Sequence, residues 1–307
     1  MNKKTIASAL LVAGLAGAAQ AQLIAADSYN TSDYAAGGLN GQNPNINPGW
    51  TGAGSAAWSV GSANLQADSI SLTNGATAYD DASDGKGKYI ASSTDFYRAG
   101  HHRVDTYTHQ DTYYMSFFVN SGGVFNNTSG REHAVVGFTN FFNEGAFENS
   151  NTDNVFGLFA GFRGEAAGAA ADSKDLILRA RGATGDLEDT VLIADVADNT
   201  TYHVIYKLVV NASGGTDQVD YWVNPADLSN EGSLTSSAAA SGSVGTFSMD
   251  TNTRIDRSFV VTNNWSASYF WDETRFGYDL DSVTGVPAPG AIAMLGLGGL
   301  AATRRRR

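Results

Sequence analysis

The sequence predicts an all-β chain folded as a two-sheet antiparallel β-sandwich of the jelly-roll kind. Three observations predict it. Short apolar runs recur with a period of two, the alternation that sends successive side chains to opposite faces of a strand. Glycine, asparagine, serine and aspartate fill the gaps, with 35 glycines and only 5 prolines in 307 residues. No amphipathic helix longer than two turns stands out, and about a dozen short antiparallel strands favour two packed sheets.

The chain opens on Lys3 and Lys4, followed by an alanine-rich apolar segment from Ile6 to Gly17 and by Ala19-Gln20-Ala21. A positive start, a short apolar run and small residues at Ala19 and Ala21 are the parts of a secretory leader in order. Residues 1–21 are therefore expected to be a signal peptide, read by the secretory translocon and cut before Gln22. Residues 22–285 are expected to form one β-sandwich domain. Setting aside the two leader lysines and the four terminal arginines leaves 13 basic residues against 31 acidic ones, a body near −18. Such a balance repels nucleic acid and anionic headgroups and is compatible with cations or neutral sugars. The chain has no cysteine, which excludes disulfides, thiolate metal sites and a cysteine nucleophile. A body this long can be held by its core alone.

Along the body, Tyr113, Met115, Phe117 and Val119 alternate with Tyr114, Ser116, Phe118 and Asn120. Residues 134–138, 155–162, 176–181 and 191–196 are further strand signals, each bounded by Gly, Asn or Asp. The clearest pair comes next. Tyr202, Val204, Tyr206, Leu208 and Val210 form one face, and Val219, Tyr221 and Val223 are placed to pair onto it in a return strand. Between them lies Asn211-Ala212-Ser213-Gly214-Gly215-Thr216, whose glycines permit the positive φ of a hairpin turn. His203, Lys207, Gln218 and Asp220 then share the opposite face with Ile205, Val209 and Trp222. Residues 164–173 and 231–245 are rich in Ala, Ser and Gly and read as mobile surface loops. Residues 182–189 read as a turn.

The last residues differ in kind. Val286, Pro287, Ala288, Pro289 and Gly290 form a proline-bounded hinge, residues 291–302 are apolar, and Arg304, Arg305, Arg306 and Arg307 close the chain. About a dozen apolar residues at ~1.5 Å rise span about 20 Å, short of a ~30 Å hydrocarbon core. The arginines resist translocation and act as a stop-transfer block on the cytoplasmic side. This three-part arrangement resembles the PEP-CTERM sorting signal of Gram-negative surface proteins, with Ala288 where that motif usually has glutamate. The resemblance implies a sorting helix within residues 286–307, an exosortase-type membrane protease as partner and cleavage at the hinge. It also implies transient anchoring in the inner membrane through the tail alone, then release to the outer membrane, cell surface or extracellular matrix.

A second resemblance concerns the body. Phe270-Trp271-Asp272-Glu273-Thr274-Arg275-Phe276-Gly277 is similar to the closing strand of concanavalin A-like, or laminin G-like, jelly rolls. Asp27-Ser28-Tyr29, Leu39-Asn40-Gly41-Gln42 and Gly49-Trp50 resemble the opening strands of such domains. The resemblance implies the fold and says little about activity.

Candidate chemistry is sparse. Asp80, Asp81 and Asp84 surround a glycine turn and supply part of the shell of six to eight hard oxygens that calcium takes. The spacing is not that of an EF-hand, and a solvated acidic turn is the plainer reading; calcium is the one cofactor the sequence offers. His101, His102, Asp105 and His109 form the histidine cluster, but adjacent strand histidines face opposite ways, which favours a polar surface over a zinc or copper site. Jelly-roll glycoside hydrolases place paired carboxylates in a Glu-x-Asp-x-x-Glu pattern, and none of the seven glutamates of the body stands in it. No nucleophile elbow, phosphate loop or dinucleotide fingerprint occurs. Among Trp50, Trp58, Trp222, Trp265 and Trp271, the mixed surroundings of Trp222 and Trp265 place them nearest to solvent, where an aromatic face stacks on a sugar ring.

The expectation is an exported cell-surface or matrix protein, sorted through its tail and without enzymatic activity. A lectin-like module that binds a polysaccharide is the alternative, and a glycoside hydrolase the more distant one.

Overall fold

The computed structural model describes residues 23–27, 37–38, 59–60, 65–68, 72, 86–89, 98–103, 108–123, 132–140, 156–164, 173–182, 187–210, 216–247, 255–263 and 265–284. In chain order the elements are β1 (Leu23–Asp27), β2 (Gly37–Gly38), β3 (Ser59–Val60), β4 (Leu65–Asp68), β5 (Lys86–Tyr89), β6 (Arg98–Arg103), β7 (Thr112–Gly122) and β8 (His133–Thr139). They continue with β9 (Gly157–Gly164), β10 (Lys174–Arg181), β11 (Leu187–Ile193), β12 (Thr201–Val209), β13 (Asp217–Val223), α1 (Glu231–Ser237), β14 (Ala240–Phe247), β15 (Arg257–Asn263), β16 (Ser268–Gly277) and α2 (Leu280–Thr284).

Two antiparallel sheets result, as the period-two pattern predicts. One has nine strands in the order β14-β13-β12-β7-β16-β5-β4-β2, with β1 also paired to β16; the other has seven, β11-β10-β9-β8-β15-β6-β3. The hairpin register keeps the two apolar rows on one face, with Val204 opposite Val223, Tyr206 opposite Tyr221 and Leu208 opposite Val219. The inward faces carry Tyr113, Met115, Phe117 and Val119 from β7, and Tyr202, Val204, Tyr206 and Leu208 from β12. They meet Val136, Phe138, Leu158, Phe162, Leu176 and Leu178 from the seven-stranded sheet in one cluster. Each such side chain, fully buried, contributes about 1.5–3 kcal/mol. Polar tips inside find partners across the sandwich: the Tyr206 hydroxyl donates to the Phe159 carbonyl at 3.2 Å, and that of Tyr269 to Ala160 at 3.3 Å.

The outer faces are covered as well. Val135, Phe159, Ile177, Phe259 and Val261 form a second buried cluster on the far side of the seven-stranded sheet. Tyr114, Ile205, Trp222, Leu228, Leu234, Leu280 and Val283 form a third, over the nine-stranded sheet. This is why β8 is buried at every position, where one-sided burial would alternate. Adjacent strands there run so close that a Cβ on Gly161 would lie 2.1 Å from the Ala134 carbonyl oxygen and 2.7 Å from Val135 Cα.

Two sequence expectations are corrected. Residues 231–245 are not a mobile loop: they form α1 and most of β14, the latter paired along β13. A seven-residue helix cannot hold itself in water. Here Asn230 caps its start by accepting from the Ser233 amide at 2.9 Å, and Leu234, fully buried, pins it to the sheet. The supposed turn at 182–189 ends early, because Leu187 and Glu188 already belong to β11, opposite Arg181 and Ala180.

No helix among the described residues is long and apolar enough to cross a membrane. Ala19, Ala21, Val286, Pro287, Ala288, Pro289, Gly290, Arg304, Arg305, Arg306 and Arg307 lie outside the described residues, as do the leader and the sorting helix.

Candidate functional site

The outer face of the nine-stranded sheet gathers the polar chemistry. Its register lines up Ser243, Asp220, Lys207 and Tyr114 across β14, β13, β12 and β7. The next outward row runs Ser241, Trp222, Ile205 and Ser116 over the same strands. These rows follow from alternation alone, since the residues between them are the inward apolar set.

Helix α1 closes over these rows. Glu231, in its first turn, accepts from Lys207 Nζ at both Oε1 and Oε2, 2.9 Å each, and also accepts the Tyr114 hydroxyl. Burial opposes the charge on Glu231, but the hydrogen bonds from Tyr114 and Lys207 and the lysine's charge outweigh it and hold its carboxyl below the usual range. Burial first, then its bond to Glu231 and that residue's charge, push the Tyr114 phenol far above the ordinary tyrosine range. Tyr114 therefore serves as a fixed donor and not as a proton carrier at neutral pH.

Between α1 and the β13–β14 edge lies an open cleft of about 400 Å³ lined by Asp220, Trp222, Glu231, Gly232, Thr235, Ser241, Gly242 and Ser243. It offers two carboxylates, three hydroxyls and an indole. Asp220 Oδ1 accepts from the Gln218 amide at 2.7 Å. Gly242 shapes the rim, because a Cβ there would lie 2.6 Å from the Tyr221 hydroxyl. The Trp222 indole N–H donates to Thr235 Oγ1 at 3.0 Å, tying helix to strand.

Farther along the same face, the closing-strand motif is spent on structure. A β-bulge shifts the register between Asp272 and Arg275, with Glu273 in the left-handed region at φ 47°. The Asp272 carboxylate accepts the Leu72 amide at 2.9 Å and the Glu273 amide at 2.8 Å. Glu273 Oε2 accepts from Arg275 Nε and Nη2 at 2.9 and 2.7 Å. His203 packs beside this latch, its Nε2 2.9 Å from Ser116 Oγ and its ring edge-on to Phe118. Complete burial, with the Arg275 charge adding to it, lowers the His203 pKa to about 3, so the imidazole is neutral.

The two tryptophans chosen as nearest to solvent are not at the surface. Trp265 is 1% exposed inside the sandwich, stacked on Phe162 at 6.2 Å, and Trp222 is 4% exposed beneath α1. They sit in separate clusters on opposite faces of the sheet, so they do not form one site. Trp222 remains on the cleft, as its floor and not as a free stacking plate. Asp80, Asp81, Asp84, Trp50 and Trp58 lie outside the described residues. Among the described residues no group of three or more metal-ligating side chains is assembled. In β6 the register sets His101 opposite Phe259 and His102 opposite Ser258, successive strand positions. Sequence reasoning missed Glu231, Ser241 and Ser243, since they fell in the supposed loop. The available signal was Asn230 three residues before Ser233, a capping position.

No family model and none of the curated proteins matches the chain. Solved structures do resemble it. A variant of alginate lyase Aly36B bound to alginate tetrasaccharide is 12% identical over 85% of this chain and 98% of its own, with a TM-score of 0.46. The carbohydrate esterase of the Shiga toxin-encoding bacteriophage phi24B is 9% identical over 85% and 100%, with a TM-score of 0.48. Lectin II from Ulex europaeus is 9% identical over 72% and 97%, with a TM-score of 0.38. The likeness is one of chain course and assigns neither an activity nor a ligand. The expectation of a body without enzymatic activity is withdrawn on chemical grounds. A missing pair of glutamates speaks against glycoside hydrolysis and is silent on elimination or ester cleavage. The chain is a two-sheet antiparallel β-sandwich.

Proposed function

We propose that this chain is an exported polysaccharide-binding β-sandwich whose saccharide seat is the cleft between α1 and β13–β14. The lining of that cleft carries the reading. Acceptors at Asp220 and Glu231, hydroxyls at Thr235, Ser241 and Ser243, and the Trp222 indole at the floor match a ligand that is dense in hydroxyl groups and apolar on its ring faces. The Lys207–Glu231–Tyr114 bonds hold α1 in place before a ligand arrives, which lowers the entropy lost on binding. Delivery is part of the proposal. The leader ending at Ala21 hands the chain to the translocon, and an exosortase-type protease trims the tail at Val286–Gly290. Arg304–Arg307 hold the tail at the inner membrane until then.

Protein recovered from the surface and medium of its host tests both parts. The intact mass is expected to begin at Gln22 and end within Val286–Gly290, and a mass that retains Arg307 contradicts the sorting account. On a polysaccharide panel the full-length chain is expected to be retained by at least one polymer, with retention cut about tenfold by Asp220→Asn combined with Ser243→Ala. Retention by none, or equal retention of the double variant, contradicts the cleft.

A further inference from the structure

The charge arrangement of the cleft goes further than its shape and, resting on the reading just given, names the sugar class. Two carboxylates face the opening, and the nearby cation is already committed: Lys207 Nζ is bound to both oxygens of Glu231 at 2.9 Å. Asp220 is different. Its described hydrogen bond comes from a neutral amide, Gln218 Nε2 at 2.7 Å, and among the described residues it forms no ion pair. It stands beside Ser243 on the edge strand, half-exposed at the mouth of the cleft. A carboxylate so placed offers a full negative charge to whatever enters, while the hydroxyls of Ser241, Ser243 and Thr235 offer neutral bonds around it. A body near −18 adds a field of the same sign.

These facts separate the classes of sugar. A polyuronate brings a carboxylate on every residue to meet Asp220 and Glu231 with no unpaired guanidinium or ammonium in the lining to receive it. A neutral hexose gains hydroxyl bonds only. A sugar with a free amino group gains a charge-assisted hydrogen bond to Asp220, the stronger kind. We infer that the cleft selects amino sugars with a free ammonium group, and that Asp220 is the residue that determines this specificity.

The test measures equilibrium binding of the full-length protein to three oligomers of equal length: glucosamine, its N-acetylated counterpart and a uronate. The glucosamine oligomer is expected to bind about tenfold or more tightly than the acetylated one, with the uronate weakest. Asp220→Asn is expected to remove that preference, bringing the affinity for the glucosamine oligomer down to that of the same variant for the acetylated one. Asp195→Asn changes net charge equally on the exposed turn after β11 and serves as the control. Equal loss in both variants means that bulk charge accounts for the preference, and overturns the inference. Equal affinity for the free and acetylated oligomers overturns it too, but leaves the cleft standing as a saccharide seat. Binding of none of the three, with the polysaccharide panel also negative, removes the seat and the inference together.

Discussion

Replacing Trp265 with alanine is expected to lower the unfolding free energy by about 3–5 kcal/mol, the cost of a large aromatic side chain lost from a packed interior. The indole is 1% exposed and lies in the cluster shared by both sheets, stacked on Phe162, whose ring is also edge-on to Tyr202 and Tyr269. The Phe162 ring is itself fixed by rings from two further strands, so collapse into the void is hindered and the cavity term stays large. Denaturant unfolding of wild type, Trp265→Ala and Trp265→Phe checks this, with the phenylalanine variant falling between the other two. Saccharide affinity, measured where the alanine variant is still folded, is expected to be unchanged. Unaltered stability together with lost binding would restore Trp265 to the surface role first expected of it.

Acid is expected to weaken the fold through His203. The imidazole is held neutral down to about pH 3 by burial and by the Arg275 charge, whereas in the unfolded chain it takes up a proton near pH 6.5. Between those values the unfolded state binds one more proton than the native state, so stability rises with pH. The contribution is fully present above about pH 6.5 and is lost as pH falls toward 3. Its slope approaches 1.4 kcal/mol per pH unit, with a total on the order of 5 kcal/mol. Glu231 adds to acid sensitivity in a lower window. Its carboxyl is depressed in the fold, so its contribution is present above the ordinary glutamate pKa and fades as pH drops through the native value. The His203 part is isolated by comparing wild type with His203→Gln, whose unfolding free energy should lose the slope between pH 6.5 and 5. Parallel profiles for the two proteins would mean that His203 is protonated in the native state.

The sheets were legible in the sequence because one property, alternation, determines both strand identity and facing. At 202–208 and 219–223 it placed each inward residue on one shared face, where the structure pairs Tyr206 with Tyr221. It also put His203, Lys207, Asp220 and Trp222 on the other face. What alternation does not carry is the identity of what covers that face. Trp222 and Ile205 are buried because Leu228, Leu234, Leu280 and Val283 arrive from α1, α2 and the chain before α1. Helix α1 itself left almost no periodic signal. Its seven residues, Glu-Gly-Ser-Leu-Thr-Ser-Ser, hold one apolar anchor, and its order comes from the Asn230 cap and from Glu231 reaching Lys207 and Tyr114. The bulge at Glu273 was equally silent, since a left-handed glutamate is stabilised by Asp272 and Arg275 and not by its own propensity.

Hydrogen exchange of the full-length protein, with and without the oligosaccharide that binds best, tests the central claim most directly. Although the Lys207–Glu231–Tyr114 bonds hold α1 in place, a seven-residue helix at the surface is less protected than the core strands, so its amides exchange measurably in the free protein. The account predicts that ligand slows exchange at residues 231–243 and along β13, and leaves β8 to β11 unchanged. Protection confined to the seven-stranded sheet, or to any surface away from α1, would contradict it.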